Sequence, residues 1–360
     1  MATINEVAKR AGVSAMTVSR VMNGSTSVTE CTRKRVLAAA DELGYRPNLL
    51  ARGLVTNRTN TIGVLVTNIV NPIYSVYIST IIEEANRGGY DVIIAAANER
   101  AGALQSVSSL LDKRVDGLIL LSIEFRHMEQ DGENLLLSLR DMEEFDREFE
   151  GFTDQGKKLN IPFVTLGRHD FTGTSGMVNL DYHTGARMAV DYLVEMGHRD
   201  IGFLMHTVTD RGIWMERYTG FGEAVARNGL TVQPHWEIGT EDTIAAGFNA
   251  MLQLLDGPSP LPTALCCAND QMAVGATNAA ASRGLRVPED ISIIGSDGNY
   301  LAANIYPPLT TISIQPEKAA AACFHLLEKL INGEGEEAGP LEALIPPKLI
   351  ERSSVKRIAD

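Results

Sequence analysis

Arg20 sits among small and hydroxyl-bearing neighbours, Ser14, Ala15, Met16, Thr17 and Ser19, in a stretch that also holds Val18, Val21 and Met22. At helical spacing the two valines and Met22 share one face, and Ala15, Met16, Ser19 and Arg20 share the other. Such an outer face can approach base edges in a DNA major groove. There a guanidinium donates in a fork to guanine, and small apolar groups meet a thymine methyl. Catalysis has no comparable signature. The chain contains no G-x-S-x-G elbow, no G-x-x-x-x-G-K-[ST] loop and no G-x-G-x-x-G opening a helix. Its seven histidines are scattered without metal-ligand spacing. Asp297 paired with His206 or His235 could be drawn as acid and base only by assuming contacts. No catalytic residue, metal or cofactor is therefore expected.

The elements that would position Arg20 are legible around it. Thr3-Ile4-Asn5-Glu6 has the form of a capping box, so a helix starts there with Ile4, Val7, Ala8 and Ala11 as its apolar stripe. Gly12 ends it at a position suited to left-handed backbone. Ser14 then caps the helix that carries Arg20. A third helix begins near Thr29, runs through Val36, Leu37, Ala40 and Leu43, and stops at Gly44. Three short helices around one small core are expected.

Charge separates this end from the rest. Residues 1–60 carry nine Lys or Arg against Glu6, Glu30, Asp41 and Glu42, a balance of +5, while the remainder holds 23 basic and 41 acidic residues, or −18. A polyanion-binding end on an acidic body fits that asymmetry. The N-terminal segment lacks an apolar core of the secretory type, and no stretch reaches the roughly 18 apolar residues of a membrane span. Cys31, Cys266, Cys267 and Cys323 lack C-x-x-C spacing and are expected as buried thiols in a reducing cytoplasm.

The strings T-V-S-R-V-M-N-G from Thr17 and L-G-Y-R-P-N from Leu43, with Thr3-Ile4, Val7-Ala8 and Gly12-Val13-Ser14, make the first fifty residues resemble the headpiece of the LacI/GalR family of bacterial repressors. The resemblance implies that Ala15, Met16 and Arg20 read bases. It implies that Thr3, Ser14, Thr17, Ser19 and Asn23 position the phosphate backbone. Asn48 to Leu54 resembles the family's hinge helix, with Asn48 and Ala51 at the DNA and Leu54 as an apolar wedge in the minor groove.

From Thr61 the pattern changes to apolar runs of strand length, at Ile62–Val66, Val92–Ala96, Gly117–Leu121, Phe163–Leu166, Ile201–Leu204, Ala264–Cys267 and Ile291–Ile294. Helical stretches lie between most of them, including Tyr74–Arg87, Met215–Asn228 and Asp270–Arg283. This predicts an α/β body of parallel sheets covered on both faces, in two lobes with a ligand cleft between them. R-V-D-G-L-I-L from Arg114, A-N-D-Q-M-A from Ala268 and L-I-E-R-S-S from Leu349 extend the family resemblance along the body. The implied fold is that of periplasmic sugar-binding proteins, crossed three times by the chain. The implied organisation is a helix-turn-helix headpiece over 1–46, a hinge over 47–60 and a two-lobed effector and dimerisation domain over 61–360.

Carried over residue by residue, the effector site falls on Ile73, Tyr74, Arg168, Arg217, Asp242, Asn269 and Asp297. Each has a plainer reading: Arg217 as a surface charge, Asp297 as a turn cap, Tyr74 as core. The set suits a sugar, sugar acid or polyol. Gly167 and Gly298 stand where relatives often carry acids or amides, which leans the site toward an anionic ligand. A charged segment over about 124–158 is an insertion with an amphipathic helical pattern. The expectation is a sequence-specific transcriptional regulator in the bacterial cytoplasm, at the nucleoid. It would bind double-stranded operator DNA and a small-molecule effector as a homodimer, with a tetramer open and no membrane contact. The rivals are a transport-type solute-binding protein and an enzyme on the same cleft fold.

Overall fold

The computed structural model describes residues 2–22, 25, 27–46, 58–67, 69–97, 100–121, 161–167, 176–207, 212–334 and 341–358. Asn23, the hinge residues Asn48, Ala51 and Leu54, the cleft candidate Arg168 and the insertion over 124–158 lie outside the described residues. The chain divides into two compact units, Met1–Thr59 and Asn60–Asp360.

The first unit is three helices, α1 (Ile4–Ala11), α2 (Ala15–Met22) and α3 (Glu30–Glu42). The capping box forms: Thr3 Oγ1 accepts the Glu6 amide while the Glu6 carboxylate accepts the Thr3 amide at 2.6 Å. Those bonds hold the Glu6 carboxyl below its ordinary pKa. Gly12 closes α1 in the left-handed region, at φ 65°. Val7, Ala8, Ala11, Val18, Val21, Val36, Ala39 and Ala40 make the core.

Two expectations are corrected here. Ala15 does not stand clear on the outer face of α2 but is half-buried against this core. Cys31 is exposed, unlike the other three cysteines. It lies five residues before the buried Val36, about 140° around the helix, and so faces away from the core.

The second unit holds two six-stranded sheets. The strands of the first are β1 (Thr61–Val66), β2 (Asp91–Ala96), β3 (Gly117–Leu121), β4 (Phe163–Leu166), β5 (Gly176–Leu180) and β11 (Leu341–Ile345). They pair in the order β11-β5-β4-β3-β1-β2, all parallel. Helices α4 (Pro72–Gly88), α5 (Arg100–Asp112) and α11 (Pro316–Ile331) pack on it. The second sheet runs β12-β10-β9-β8-β6-β7, with β6 (Ile201–His206), β7 (Glu237–Thr240), β8 (Ala264–Cys267), β9 (Ser292–Asp297), β10 (Thr310–Ser313) and β12 (Lys348–Ile350). Only the edge strand β12 is antiparallel to its neighbour. Helices α6 (Tyr182–Glu195), α7 (Gly212–Arg227), α8 (Ile244–Leu255), α9 (Asp270–Ser282) and α10 (Tyr300–Asn304) belong to this lobe. The central strands β1, β3, β4 and β8 are buried almost end to end, as parallel strands covered on both faces must be.

The chain passes between the lobes three times, at 180–182, 314–316 and 345–348. These crossings are tied together. The Asp181 amide donates to the Ile345 carbonyl at 3.4 Å, and Gln315 Nε2 donates to the Pro346 carbonyl at 2.6 Å. Tyr182 and Ile213, both on second-lobe helices, pack into the core cluster of the first lobe.

Candidate functional site

Where the lobes meet, α4 contributes the first wall. Asn71 caps it by accepting the Ile73 amide, and Pro72 fixes its first turn. That start places Ile73 and Tyr74 inside, and Tyr77, one turn on, shares their face. Tyr77 is 1% exposed and meets Tyr74 edge to face at 6.0 Å. Its hydroxyl has no hydrogen-bond partner among the described residues. Burial and the nearby Tyr182 and Asp297 raise its pKa well above the ordinary phenol value.

The second lobe supplies the charges. Trp214 and Arg217 lie three residues apart on α7, hence on one face. The Arg217 guanidinium sits 4.3 Å from the Tyr182 ring centre and 5.5 Å from that of Trp214, which itself stacks on His206 at 4.6 Å. Arg217 is 4% exposed and Asp297 5%. Nη2 of Arg217 donates to Asp297 Oδ1 at 2.7 Å, and Nη1 donates to Ser296 Oγ at 2.7 Å and to the Ala268 carbonyl. Burial works against the arginine's charge, but Asp297 and Tyr182 together outweigh it and the Arg217 pKa rises. Burial likewise pushes the Asp297 carboxyl up, opposed by the charge and hydrogen bond of Arg217. The surface-charge reading of Arg217 is thereby removed. Its Nε has no partner among the described residues.

Asn269 is the N-cap of α9. Its Oδ1 accepts the Met272 amide at 2.8 Å and its Nδ2 donates to the Asp242 carbonyl at 3.4 Å. Both residues are buried. Ile73, Tyr74, Arg217 and Asp297 thus gather at the lobe junction, and Asn269 and Asp242 are joined to each other beside it. Tyr77, Tyr182 and Trp214 also line this junction and were not among the residues expected from the sequence. Tyr77 and Trp214 were findable as helical neighbours of Tyr74 and Arg217, whereas Tyr182 arrives from a separate helix and gave no local signal.

On the headpiece, α2 presents Met16 at 65% exposure with Arg20 exposed one turn further on. Ser14 Oγ accepts the Thr17 amide at 3.1 Å and pairs with the Thr17 hydroxyl at 2.9 Å, which fixes the start of that helix. Thr3 is exposed, with its hydroxyl engaged by Glu6.

Residues 3–48 match the family described as bacterial regulatory proteins, lacI family, and residues 190–355 match the periplasmic binding protein-like domain. Over 357 residues the chain is 34% identical to the HTH-type transcriptional repressor PurR of Pasteurella multocida (strain Pm70), covering 99% of each protein. It is 36% identical over 360 residues to the repressor of that name from Proteus mirabilis (strain HI4320), covering 99% of this chain and 97% of that one. The chain belongs to the LacI family.

Two solved structures resemble the chain over nearly its whole length. The lac repressor dimer bound to operator and the anti-inducer ONPF superposes with a TM-score of 0.79 at 28% identity, covering 99% of both chains. The transcriptional regulator CelR in complex with cellobiose gives 0.65 at 27% identity. This LacI-family protein is a DNA-binding transcriptional regulator with an effector-binding domain of the periplasmic-binding type. Among the described residues no helix is long and apolar enough to cross a membrane, and no cluster of His, Cys, Asp and Glu could hold a metal ion.

Proposed function

We propose that this LacI-family repressor closes its two lobes on a small polar effector held at the Arg217–Asp297 junction. Closure would then pass to paired headpieces on operator DNA. The observation that carries the reading is the buried Arg217–Asp297 pair, flanked by Tyr182 and Trp214, at the carboxyl end of β9 where the lobes meet. Open α/β sheets take their ligands at the carboxyl ends of strands. The flat faces of Tyr182 and Trp214 suit a ring, and Tyr77 Oη and Arg217 Nε retain hydrogen-bonding capacity toward it. Ile73, Tyr74, Asn269 and Asp242 complete the wall, with Arg168 as a further contact.

A sugar or related polyol is the class these groups support. CelR, a solved relative, is in complex with cellobiose. The lean toward an anionic ligand loses the help of Arg217, whose charge Asp297 already matches.

On DNA, α2 enters the major groove with Arg20 on guanine and Ala15 and Met16 as apolar contacts. Thr3, Ser14, Thr17, Ser19 and Asn23 hold the phosphates, and Asn48, Ala51 and Leu54 form the hinge contact. The working unit is a homodimer in the bacterial cytoplasm, with the headpiece over 1–46, the hinge over 47–60 and the body over 61–360. It performs no catalysis.

The test is a thermal-shift screen of the full chain against sugars, sugar acids, polyols and nucleobases. A true effector at a hundred times its Kd adds about 2.7 kcal/mol of apparent stability, and Arg217→Ala and Asp297→Ala each remove that shift. A ligand that stabilises both variants as strongly as the parent would place the site elsewhere.

A further inference from the structure

A second buried carboxylate holds the backbone that carries Asp297. Asp270, the first residue of α9 and next to the capping Asn269, is 0% exposed. Its Oδ2 accepts the amides of both Gly298 and Asn299 at 2.9 Å, and its Oδ1 accepts the Thr311 hydroxyl at 2.6 Å. β9 leaves space for this group, because a Cβ at Gly295 would lie 2.4 Å from Asp270 Oδ1. The partners come from two places, the loop after β9 and strand β10, and the carboxylate that joins them stands at the helix start.

What this arrangement fixes is unusual backbone. Asp297 has φ 120°, a region that non-glycine residues rarely adopt and that persists only when the surroundings enforce it. The two residues after it are bound to Asp270, and its own carbonyl accepts the Ile314 amide at 3.1 Å. Ile314 belongs to the second lobe crossing. From Asp297 the contacts run to Arg217 at 2.7 Å, and from Arg217 to the Trp214 ring at 5.5 Å.

We propose that Asp270 is a positioning residue of the effector site, whose carboxyl group sets the backbone of 297–299 and through it the orientation of the Arg217–Asp297 pair. The assignment rests on reading that pair as the effector site.

The charge on Asp270 then matters to the geometry. The ionisable groups facing it are Asp297 from β9 and Cys267 from β8, with Arg217 reaching Asp297. Burial, reinforced by the negative charge of Asp297, raises Asp270 to about 8, while its bonds from Thr311, Asn299 and Gly298 pull the other way. Burial keeps the Cys267 thiol well above its ordinary range, so it stays neutral. With Asp270 protonated, one carboxylate faces one guanidinium. Once it ionises, two carboxylates share that guanidinium in a poorly solvated interior, and their repulsion works against the aligned Asp297.

Trp214 reports on this directly. The chain has two tryptophans, so Trp236→Phe leaves Trp214 as the sole tryptophan, excited at the red edge where the tyrosines do not absorb. Its fluorescence in the full chain is followed from about pH 6.5 to about pH 9.5. The expected result is a transition centred near pH 8 that Asp270→Asn abolishes. Thr311→Val, which removes one bond favouring the ionised carboxyl but keeps the carboxyl itself, moves the transition to higher pH. His206→Gln, which removes the ring stacked on Trp214, leaves it in place.

A parent without the transition, an Asp270→Asn variant that keeps it, or a transition lost in His206→Gln overturns the assignment. Should Asp270→Asn fail to fold by circular dichroism, Thr311→Val decides alone, and an unmoved or lowered midpoint overturns it. Effector binding that survives Arg217→Ala would refute the site reading while leaving this transition intact, so the two failures are distinguishable.

Discussion

At the scale of single residues the decisive arrangement is a guanidinium and a carboxylate buried together, at 4% and 5% exposure. Removing one partner strands the other as an uncompensated buried charge, which costs on the order of 3–5 kcal/mol. Arg217→Ala and Asp297→Ala are each expected to lose that much by chemical denaturation. The double variant should lose clearly less than their sum, because the second substitution removes a charge already orphaned by the first. Strict additivity in the cycle would mean that the pair contributes no coupling. Arg217 and Asp297 could be picked out in the sequence because the strings around them are distinctive. Their mutual bond could not, since eighty residues separate them in the chain and only the closing of the second lobe brings them together.

At the scale of elements, the headpiece was the most legible part, because its signals are local. The capping box at Thr3, the glycine turn at Gly12 and the 3.6-residue stripe of Val7, Ala8 and Ala11 each depend on neighbours within a few residues. Thr3→Ala is expected to lower the melting temperature of the headpiece transition by a few degrees. An unchanged transition in calorimetry would show that the box contributes nothing.

In the body, strands with buried apolar runs such as Gly117–Leu121 and Phe163–Leu166 matched the sequence-based bounds residue for residue. Strands β5, β7, β10, β11 and β12 went unnoticed. β10 reads Thr-Thr-Ile-Ser and is buried through hydrogen bonds as well as apolar contact, Thr310 and Thr311 being engaged with the C-terminal segment and with Asp270. β11 and β12 are edge strands; burial alternates along β11, but the apolar Leu344 falls on its exposed side, so the residue types do not follow the alternation.

At the scale of the whole molecule, +5 over residues 1–60 and −18 over the rest explain how a chain of net charge −13 belongs to a DNA-binding family. The acidic body also has a pH-sensitive joint. His198 is fully buried, with Nδ1 at 3.0 Å from Thr263 Oγ1 and Nε2 at 3.1 Å from the Lys356 carbonyl. Burial lowers its pKa. The neutral ring is therefore favoured in the folded state, so its contribution to stability is present above the unfolded value of about 6.5 and is lost as pH falls below it. Melting temperature should accordingly drop between about pH 7 and about pH 5.5, and His198→Gln should flatten that slope. A slope unchanged by the substitution would assign it to other groups.

Sequence readout by α2 of the headpiece is what most needs a direct test. The most direct measurement is selection of duplexes from a random library by the full chain, followed by sequencing. Enrichment of a two-fold symmetric site is expected, with affinity falling by about 1–3 kcal/mol in Arg20→Ala and sequence preference relaxed at one position of each half-site. Enrichment of no sequence, or an unaltered motif and affinity in Arg20→Ala, would contradict it.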